Sequence, residues 1–361
     1  MRAAWQVIDT GLRPAAENIA FNRALLEARC ADEIPDTLRF LRFEPSALLG
    51  YHQSAAQELA LDYCQNHGIA VQRRITGGGA IYFDEHQLGW ELYLHRQTVG
   101  VADMQTVARR ICEAAAMGIR ALGVDARFRP RNDIEVNGRK ISGSGGAFDG
   151  DILMYQGTLL LRFDVEHMLR VLRIPAEKLQ GKAIASARER VASLAALLGD
   201  APPLARAMAS LRDAFRREFD ADMRCMDPSA DVMARFAVAL RAIDHPDWIN
   251  LYSRPAADAP LLEGVGRFPG GLLRVGIAYD RRARRIKQIA FSGDFFVSPA
   301  RTIADLETVL RNVAQARLRT AILSFFDAHP VDMLGLTPEN FAAVAQRALA
   351  SADAPLETSN G

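Results

Sequence analysis

The stretch from Arg73 to Asp84 constrains this chain most, because three consecutive glycines separate two arginines and a threonine from an apolar run. Glycine adopts positive φ values and lets the backbone approach a ligand closely, since it has no Cβ. Free amide groups in such a loop suit phosphate oxygens, and arginine adds a fixed fork of donors. A flexible turn between two strands has the same pattern, so the loop predicts a binding site only with support from elsewhere.

That support comes from a second stretch, residues 132–146, which predicts a hairpin. The pair Asn137-Gly138 is a strong signal for a type I′ turn between a strand ending near Val136 and one beginning near Lys140. A run rich in serine and glycine follows Lys140, so the backbone can crowd a ligand there. The alternative is a lysine that is merely exposed on a hairpin.

Composition and charge narrow the class of protein. A chain of 361 residues has room for two domains, and 49% apolar with 24% charged residues is ordinary for a globular protein. The net charge of +1 predicts no nucleic-acid partner, and no apolar run or leader segment predicts a membrane or secretion. Four scattered cysteines without a C-x-x-C pair favour reduced thiols, so a cytoplasmic location is expected.

Hydrophobic periodicity predicts an α+β fold, because strands and helices do not alternate one for one as a doubly wound sheet requires. Helices are predicted to dominate between Asp164 and Ala242, with a boundary near Asp244-His245-Pro246. Before that region, helices are expected at 16–29, 59–67 and 104–122, and strands at 37–43, 69–73, 80–83, 88–94 and 153–161 and around Asp133 and Lys140.

The region after the boundary predicts a second, smaller α+β domain. Three antiparallel strands are expected at 261–268, 272–279 and 286–291, and helices at 303–314, 318–328 and 338–350. The predicted division is therefore a larger domain at 1–245, a smaller domain at 246–350 and a disordered tail at 351–361. The basic cluster from Arg281 to Lys287 is interpreted as a solvated hairpin turn rather than a partner site.

Taken in order along the chain, these stretches resemble the lipoate–protein ligase family, within the larger group of biotin ligases and octanoyltransferases. The resemblance covers most of the chain and is carried by several motifs rather than one. They are Ala16–Leu26 for the first helix, Gly50–Gln53 for the early turn, Arg73–Asp84, Asn132-Asp133, Gly138–Ser144, Gln156–Leu161, the segment Lys182–Leu194 with Ser186, Arg188, Arg190 and Val191, and Gly293–Phe296 in the accessory domain.

The resemblance implies a mixed-sheet catalytic domain that joins lipoate to ATP, releases pyrophosphate and passes the acyl group from acyl-AMP to a lysine of an acceptor protein. It assigns Lys140 as the catalytic residue, acting on the α-phosphate and the acyl carbonyl oxygen. It implies a Mg²⁺ ion near Asp133, because carboxylate oxygens suit that ion. The alternative interpretation of Asp133 is a carboxylate that caps a turn. The remaining residues implied to bind ATP or lipoate are Arg74, Thr76, Gly77, Gly78, Gly79, Ala80, Asn132, Asp133, Ser142, Gly143, Gln156 and Gly157.

Two positions depart from the family pattern. Many relatives carry histidine where this chain has Phe83, and histidine again where it has Gln156. Glutamine does not act as a general base near neutral pH, although it holds hydrogen bonds. Either those histidines are not essential, or the acceptor is recognised differently and a dedicated acceptor becomes possible. His52, in the early turn, is interpreted as a packing residue.

Three rival functions stay open from the sequence. An octanoyltransferase would need a cysteine thiolate beside the lysine and no ATP, and the nearest cysteine in sequence is Cys112, on a predicted helix. A biotin ligase has a different order of glycine and arginine in its loop. A binding module without catalysis is compatible with Phe83 and Gln156. The expected acceptor is an apo lipoyl domain or a related carrier protein, and the sequence does not separate lipoate from octanoate or fix the oligomeric state.

Overall fold

The computed structural model describes residues 3–100, 103–130, 132–173, 188–252 and 261–350. The chain groups into two compact units that are discontinuous in sequence. The first comprises Met1–Leu48, Glu58–Ile75 and Ala80–Ile249, and the second comprises Leu49–Gln57, Thr76–Gly79 and Asn250–Gly361. The division into catalytic and accessory domains at residue 245 stays a prediction, and the predicted tail at 351–361 lies outside the described residues.

A mixed sheet of eight strands forms the centre of the first unit, and a smaller sheet has three strands. Their strands are β1 (Ala3–Arg13), β2 (Thr37–Phe43), β3 (Ser46–Leu49), β4 (Ala70–Arg73), β5 (Ile81–Phe83), β6 (Gln87–His95), β7 (Arg127–Arg129), β8 (Asp133–Val136), β9 (Arg139–Asp149), β10 (Ile152–Leu160) and β11 (Ala221–Cys225). The order in the large sheet is β11-β1-β2-β6-β10-β9-β8-β7, and the order in the smaller sheet is β4-β3-β5. In the large sheet, strand β1 runs parallel to both β2 and β11, and the other neighbours are antiparallel.

Helices cover both faces of the large sheet. The helices Met104–Arg120 and Leu204–Glu218 pack on one face with Trp90 and other apolar strand residues, because alternate residues of a strand point to the same side. The helices Ala15–Cys30 and Ala230–Ile243 pack together on the other face. The remaining helices before residue 250 are Ala55–Glu58, Leu61–Asn66, Arg96–Val99, Val165–Val171, Leu194–Leu198 and Pro246–Ile249.

In the first unit, the predicted strands and helices with strong hydrophobic periodicity are confirmed. The predicted α+β fold class is confirmed as well. The strand at 37–43 has the expected bounds, and the helix predicted at 104–122 ends at Arg120. Strands β1, β3, β7 and β11 were not predicted. The region from Asp164 to Ala242 was expected to be mainly helical, but Ala221–Cys225 forms a strand, because it pairs with the free edge of β1.

A buried polar network joins the first helix to the sheet. Arg39 and Glu91 form an ion pair of 3.0 Å with exposed side-chain fractions of 0% and 4%. Arg39 also donates to the side chain of Asn18 at 2.7 Å, and Glu91 accepts from Asn22 at 2.6 Å and from Tyr93 at 2.7 Å. Because buried charges are tolerated only when they are paired and hydrogen-bonded, this network fixes the helix against strands β2 and β6.

The second unit contains an antiparallel sheet in the order β12-β13-β14, with strands β12 (Leu261–Phe268), β13 (Gly271–Asp280) and β14 (Arg285–Gly293). Its helices are Thr302–Val309, Leu318–Ala328 and Pro338–Ala350, which share an apolar core with the sheet. A 3₁₀ turn at Gln315–Arg317 and the short pair β15 (Val297–Ser298) and β16 (Asp332–Met333) complete it. Within the described residues, no helix of either unit is long and apolar enough to cross a membrane.

The helix predicted at 303–314 stops at Val309, so its C-terminal end was predicted wrongly. The following residues instead bond to the backbone at the start of β14. Ile286 donates to the carbonyl of Val313 at 2.9 Å, and Asn312 donates to the carbonyl of Ile286 at 2.7 Å. Asn312 has a φ of 61°, which ends a helix because residues other than glycine rarely adopt that conformation inside one.

The buried carboxyl group of Glu307 bonds to the backbone of strand β14, and its raised pKa predicts a pH effect on stability. It accepts a hydrogen bond of 2.7 Å from the amide of Phe291, and burial raises its pKa from the ordinary 4.5 to about 7. The folded state therefore holds a proton that the unfolded chain has released, and stability falls as pH rises from 4.5 to 7. The decline has an upper limit of about 1.4 kcal/mol per pH unit. Urea unfolding should show this decline in the wild type and not in Glu307→Gln, whereas equal pH profiles would contradict it.

Candidate active site

Lys140 lies near the start of β9, on the hairpin that the sequence predicts. The turn residues Asn137 and Gly138 have φ values of 51° and 75°, as a type I′ turn requires, so that prediction is confirmed. The ammonium of Lys140 lies 2.7 Å from the carboxylate of Asp133 on β8. The lysine side chain is 40% exposed and the aspartate 18%. Lys140 is thus held in place by a carboxylate while its charge stays accessible to a ligand.

The backbone beside Lys140 leaves room for its side chain. A Cβ on Gly143 would lie 2.7 Å from the ammonium of Lys140, so any larger residue at this position would displace the lysine. The amide of Gly143 donates to the hydroxyl of Thr158 at 3.3 Å. The hydroxyl of Ser142 is buried without a hydrogen-bond partner among the described residues. A glycine that leaves room for an exposed cation, with an unsatisfied hydroxyl on the same strand, suits an anionic group such as phosphate.

Asn132 is tied to the same strand through Ser144. The carbonyl of Asn132 accepts from the amide of Ser144 at 3.0 Å and from its hydroxyl at 2.8 Å. The side-chain amide of Asn132 donates in return to the carbonyl of Ser144. Three hydrogen bonds therefore fix the segment that carries Asp133 against β9. A direct contact of Asn132 with the nucleotide stays a prediction.

Cys112 lies behind this strand, closer to the lysine motif than its place in the sequence suggests. Its thiol is 3.1 Å from the hydroxyl of Ser144 and 3.4 Å from that of Tyr155. The residue is fully buried, and burial raises the pKa of the thiol. The Tyr155 hydroxyl also has a raised pKa because it is buried and lies beside Cys112. A protonated, buried thiol is a poor nucleophile, because the thiolate is the reactive form.

Gln156 and Gly157 lie on β10, the neighbour of β9. Gln156 is half-buried between Gly145 on one side and Glu91 on the other. A Cβ on Gly157 would overlap the buried indole of Trp90, which gives this glycine a packing role. Phe83, the other departure from the family pattern, is buried with its ring 4.7 Å from that of Phe43. An apolar residue at position 83 thus fits the core of this chain.

Arg74 is buried in the first unit. Its guanidinium donates to the carbonyl of Leu48 at 2.9 Å, and burial together with the charge of Arg73 lowers its pKa to about 10. Arg73 is also buried and donates to the carbonyl of Trp248 at 3.0 Å and to that of Ile249. The two arginines therefore have different roles, because Arg73 anchors backbone while Arg74 carries a charge that burial destabilises.

The glycine loop itself, Thr76–Gly79, belongs to the second unit. Gly78 has a φ of 94° and donates its amide to the carbonyl of Phe295 at 3.2 Å. A Cβ on Gly77 would overlap that same carbonyl oxygen. Tyr51 donates to the carbonyl of Thr76 at 2.8 Å. The glycines therefore allow close backbone packing inside this unit, which is a structural reason for them beside the predicted binding role.

His52 is a packing residue, as the sequence predicted. It is buried in the second unit, its ring stacks 4.7 Å from that of Phe295, and its Nδ1 lies 3.0 Å from the hydroxyl of Tyr252. These contacts hold the ring between apolar neighbours. We therefore assign it no catalytic role.

The structure brings seven of the predicted site residues together on one hairpin and its neighbouring strand. Arg74 and Ala80 lie in the first unit, Thr76–Gly79 in the second, and Lys182 and Ser186 outside the described residues. The predicted site residues on the hairpin and on the neighbouring strand β10 are Asn132, Asp133, Lys140, Ser142, Gly143, Gln156 and Gly157.

Sequence reasoning did not single out four residues that contact the predicted site. These are Arg129, Thr158, Tyr155, and Ser144 as the hydrogen-bond partner of Asn132. The guanidinium of Arg129 lies 2.8 Å from Asp133 because the two residues pair directly between β7 and β8. All four contacts follow from pairing between strands, which no local pattern reveals.

The predicted Mg²⁺ ligand fits the geometry less well than the predicted lysine. The two carboxylate oxygens of Asp133 are engaged by Lys140 at 2.7 Å and Arg129 at 2.8 Å. Within the described ranges, no group of three metal-ligating side chains could hold an ion. Since a divalent ion needs free carboxylate oxygens, the structure favours Asp133 as the residue that positions Lys140, and we derive no step through a metal.

The class of enzyme to which this mixed sheet and its lysine hairpin belong is identified by comparison with a known protein family. Residues 14–216 match the family model described as the lipoyl protein ligase A/B catalytic domain, and the chain belongs to that family. It is 32% identical over 187 residues to lipoate-protein ligase A subunit 1 of Thermoplasma acidophilum, covering 49% of this chain and 70% of that relative.

Relatives with a different activity are similar to the same degree. The octanoyltransferase LipM of Symbiobacterium thermophilum is 30% identical over 242 residues, covering 61% of this chain and 86% of that protein. Among solved structures, the bipartite lipoate protein ligase of T. acidophilum, studied with its E2 lipoyl domain, superimposes with a TM-score of 0.61 at 25% identity. The match covers 71% of this chain and 100% of that one. The family is thus shown, whereas ligase and transferase activities both occur within it.

Proposed function

We propose that this protein is an ATP-dependent lipoate–protein ligase. The observation that carries the proposal is Lys140, an accessible cation held 2.7 Å from Asp133 beside a glycine that leaves room for it. Adenylation needs stabilisation of negative charge on phosphate, and a preorganised ammonium supplies it without reorganisation. A cysteine-dependent transferase would need a thiolate at this place instead.

The reaction would proceed in two balanced steps. In the first, Lys140 stabilises the charge that develops when a lipoate carboxylate oxygen bonds to the α-phosphorus of ATP and pyrophosphate leaves. In the second, the amine of an acceptor lysine bonds to the acyl carbonyl carbon, loses a proton, and AMP leaves. Lys140 acts on oxygen atoms in both steps, which is why one residue can serve them both.

Similar octanoyltransferases support the alternative of a transferase activity, whereas the surroundings of the buried cysteines argue against it. All four cysteines lie within the described residues. Cys112 contacts Ser144, four residues from Lys140 along β9, but its thiol is buried with a raised pKa. Cys64 is buried with a raised pKa as well. A nucleophilic cysteine must lose its proton, and burial opposes that loss at Cys112. A role of Cys112 in packing is therefore favoured over a role as nucleophile.

The expected acceptor is an apo lipoyl domain or a related carrier, which a structural relative studied with its E2 lipoyl domain supports. The role of Arg74 and the glycine loop in holding lipoate and ATP belongs to the same proposal. A binding module without catalysis is disfavoured because Lys140 is held by Asp133 and stays accessible to a ligand.

Exchange of labelled pyrophosphate into ATP tests the proposal without any acceptor protein. A ligase should catalyse exchange that depends on lipoate, because acyl-AMP formation is reversible while pyrophosphate is present. Matched reactions without lipoate and with biotin are the controls. Exchange that is absent under all conditions, or that depends on biotin instead, would contradict the proposal.

A further inference from the structure

The second unit carries a concentration of positive charge that the proposed catalysis does not use. Two segments that pack together supply it, the turn between β13 and β14 and the stretch after the helix Thr302–Val309. We name the set the basic hairpin surface. Its members are all exposed and are Arg281, Arg282, Arg284, Arg285, Lys287, Arg311 and Arg317.

This turn is anchored rather than loose. Arg284 has a φ of 53° and bonds to Gln315 through both its carbonyl, at 3.0 Å, and its guanidinium, at 3.1 Å. Arg285 donates to the carbonyl of Asn312 at 2.6 Å. The carboxylate of Asp280 accepts from the amide of Ala283 at 2.9 Å inside the turn. The charges are thus presented on a fixed backbone, which lowers the entropy lost when a partner binds.

The acidic groups of the unit leave most of these cations unpaired. Across the described residues, no ion pair involves Arg282, Arg284, Arg285, Lys287, Arg311 or Arg317. Asp280 interacts with Arg282 and Lys287 at longer range, and Glu307 with Arg311. Unpaired like charges on one surface repel each other, so an acidic partner would relieve that repulsion.

The composition of the surface indicates the chemistry of that partner. Six of its seven cations are arginines, whose planar fork matches carboxylates in pairs. Neither the turn residues 281–287 nor residues 310–317 include an aromatic side chain, which single-stranded nucleic acids use for stacking. Acidic side chains of a protein therefore fit this surface better than bases do.

Although the sequence alone favours a solvated turn, we infer that the basic hairpin surface binds an acidic face of the acceptor protein, so that the second unit contributes to acceptor recognition. The identity of the partner as the acceptor rests on the proposed function. A contact between charged surfaces speeds encounter and holds the complex, and it depends strongly on salt. Acceptor binding is therefore expected to weaken with salt, while the activation of lipoate is not expected to depend on this surface.

Direct binding of an apo E2 lipoyl domain of net negative charge tests the inference, measured by calorimetry on the full chain at low and high salt. The test variant is Arg282→Glu/Lys287→Glu, which reverses two exposed charges of the surface. The matched control is Arg267→Glu/Arg301→Glu, which reverses two exposed charges of the same unit outside it. Arg267 pairs with Leu272, at the opposite end of β13 from Asp280.

At low salt the test variant should bind about tenfold more weakly than the wild type, and high salt should remove most of that difference. The control should stay within about twofold of the wild type, because it changes net charge equally but not this surface. Lipoate-dependent pyrophosphate exchange should be unchanged in both variants. Equal affinity in all three proteins, or an equal loss in the control, would overturn the inference.

A short single-stranded RNA serves as a competing probe. If the test variant lost RNA binding while its affinity for the lipoyl domain stayed that of the wild type, the surface would be a nucleic-acid site and the inference would be wrong. Failure of the two proposals can be distinguished. Binding that depends on the surface in a protein without pyrophosphate exchange would sustain this inference and refute the ligase activity.

Discussion

Replacing Lys140 by alanine is expected to slow acyl-adenylate formation at least about a hundredfold, the usual effect of removing one donor that stabilises developing negative charge. The side chain is 40% exposed and its main partner is Asp133, so the fold should survive the change. Lipoate-dependent pyrophosphate exchange measures the rate, and circular dichroism checks the fold. Lys140→Arg should recover little, because a planar fork does not replace a compact ammonium.

The neighbouring residue supplies a matched control for this prediction. Arg139→Ala removes a cation one residue away on the same strand, where the side chain points to the opposite face. It should retain nearly the wild-type exchange rate. If Arg139→Ala and Lys140→Ala lost activity equally, the effect would be one of general charge, and the specific role of Lys140 would be refuted.

The substitution Arg39→Met should lower the free energy of unfolding by about 3–5 kcal/mol, because it leaves the buried carboxylate of Glu91 without its cation. Loss of that size is a large part of the total stability of an ordinary domain, about 5–15 kcal/mol. Urea unfolding followed by tryptophan fluorescence measures it, since Trp5 and Trp90 are buried in the same unit.

An exposed ion pair of the same unit provides the comparison. Arg127 lies 2.7 Å from Asp125, with exposed side-chain fractions of 74% and 60%. Arg127→Met should leave the free energy of unfolding nearly unchanged, because water solvates both charges. A loss below about 1 kcal/mol for Arg39→Met as well would show that Asn22 and Tyr93 alone satisfy Glu91, contrary to our account.

Local signals in the sequence predicted the hairpin and the position of Lys140 on it correctly, whereas the catalytic role of Lys140 stays a prediction. Asn137-Gly138 specifies the turn, and the type of turn fixes how the strands on both sides pair. The pairing of Lys140 with Glu135, and its ion pair with Asp133, depend on an irregularity in register between Ile134 and Glu135. That irregularity has no pattern of its own, so the role of Asp133 as the partner of Lys140 could not be predicted.

Long-range contacts account for the remaining differences. Strand β11 forms only because the edge of β1 is available, although the two are more than 200 residues apart. Cys112 approaches Ser144 because a helix packs on the sheet, so distance along the chain was a poor guide to the neighbours of the lysine motif. The glycine loop packs with Phe295 in the second unit, which required knowledge of the whole fold.

The intact mass of an acceptor protein tests the central claim most directly. An apo lipoyl domain would be incubated with the enzyme, lipoate, Mg²⁺ and ATP, beside reactions that lack ATP or contain Lys140→Ala. Our account predicts a gain of one lipoyl group that requires both ATP and Lys140. A gain of an octanoyl group from an acyl-carrier protein without ATP, lost in Cys112→Ser rather than in Lys140→Ala, would contradict it and establish a transferase.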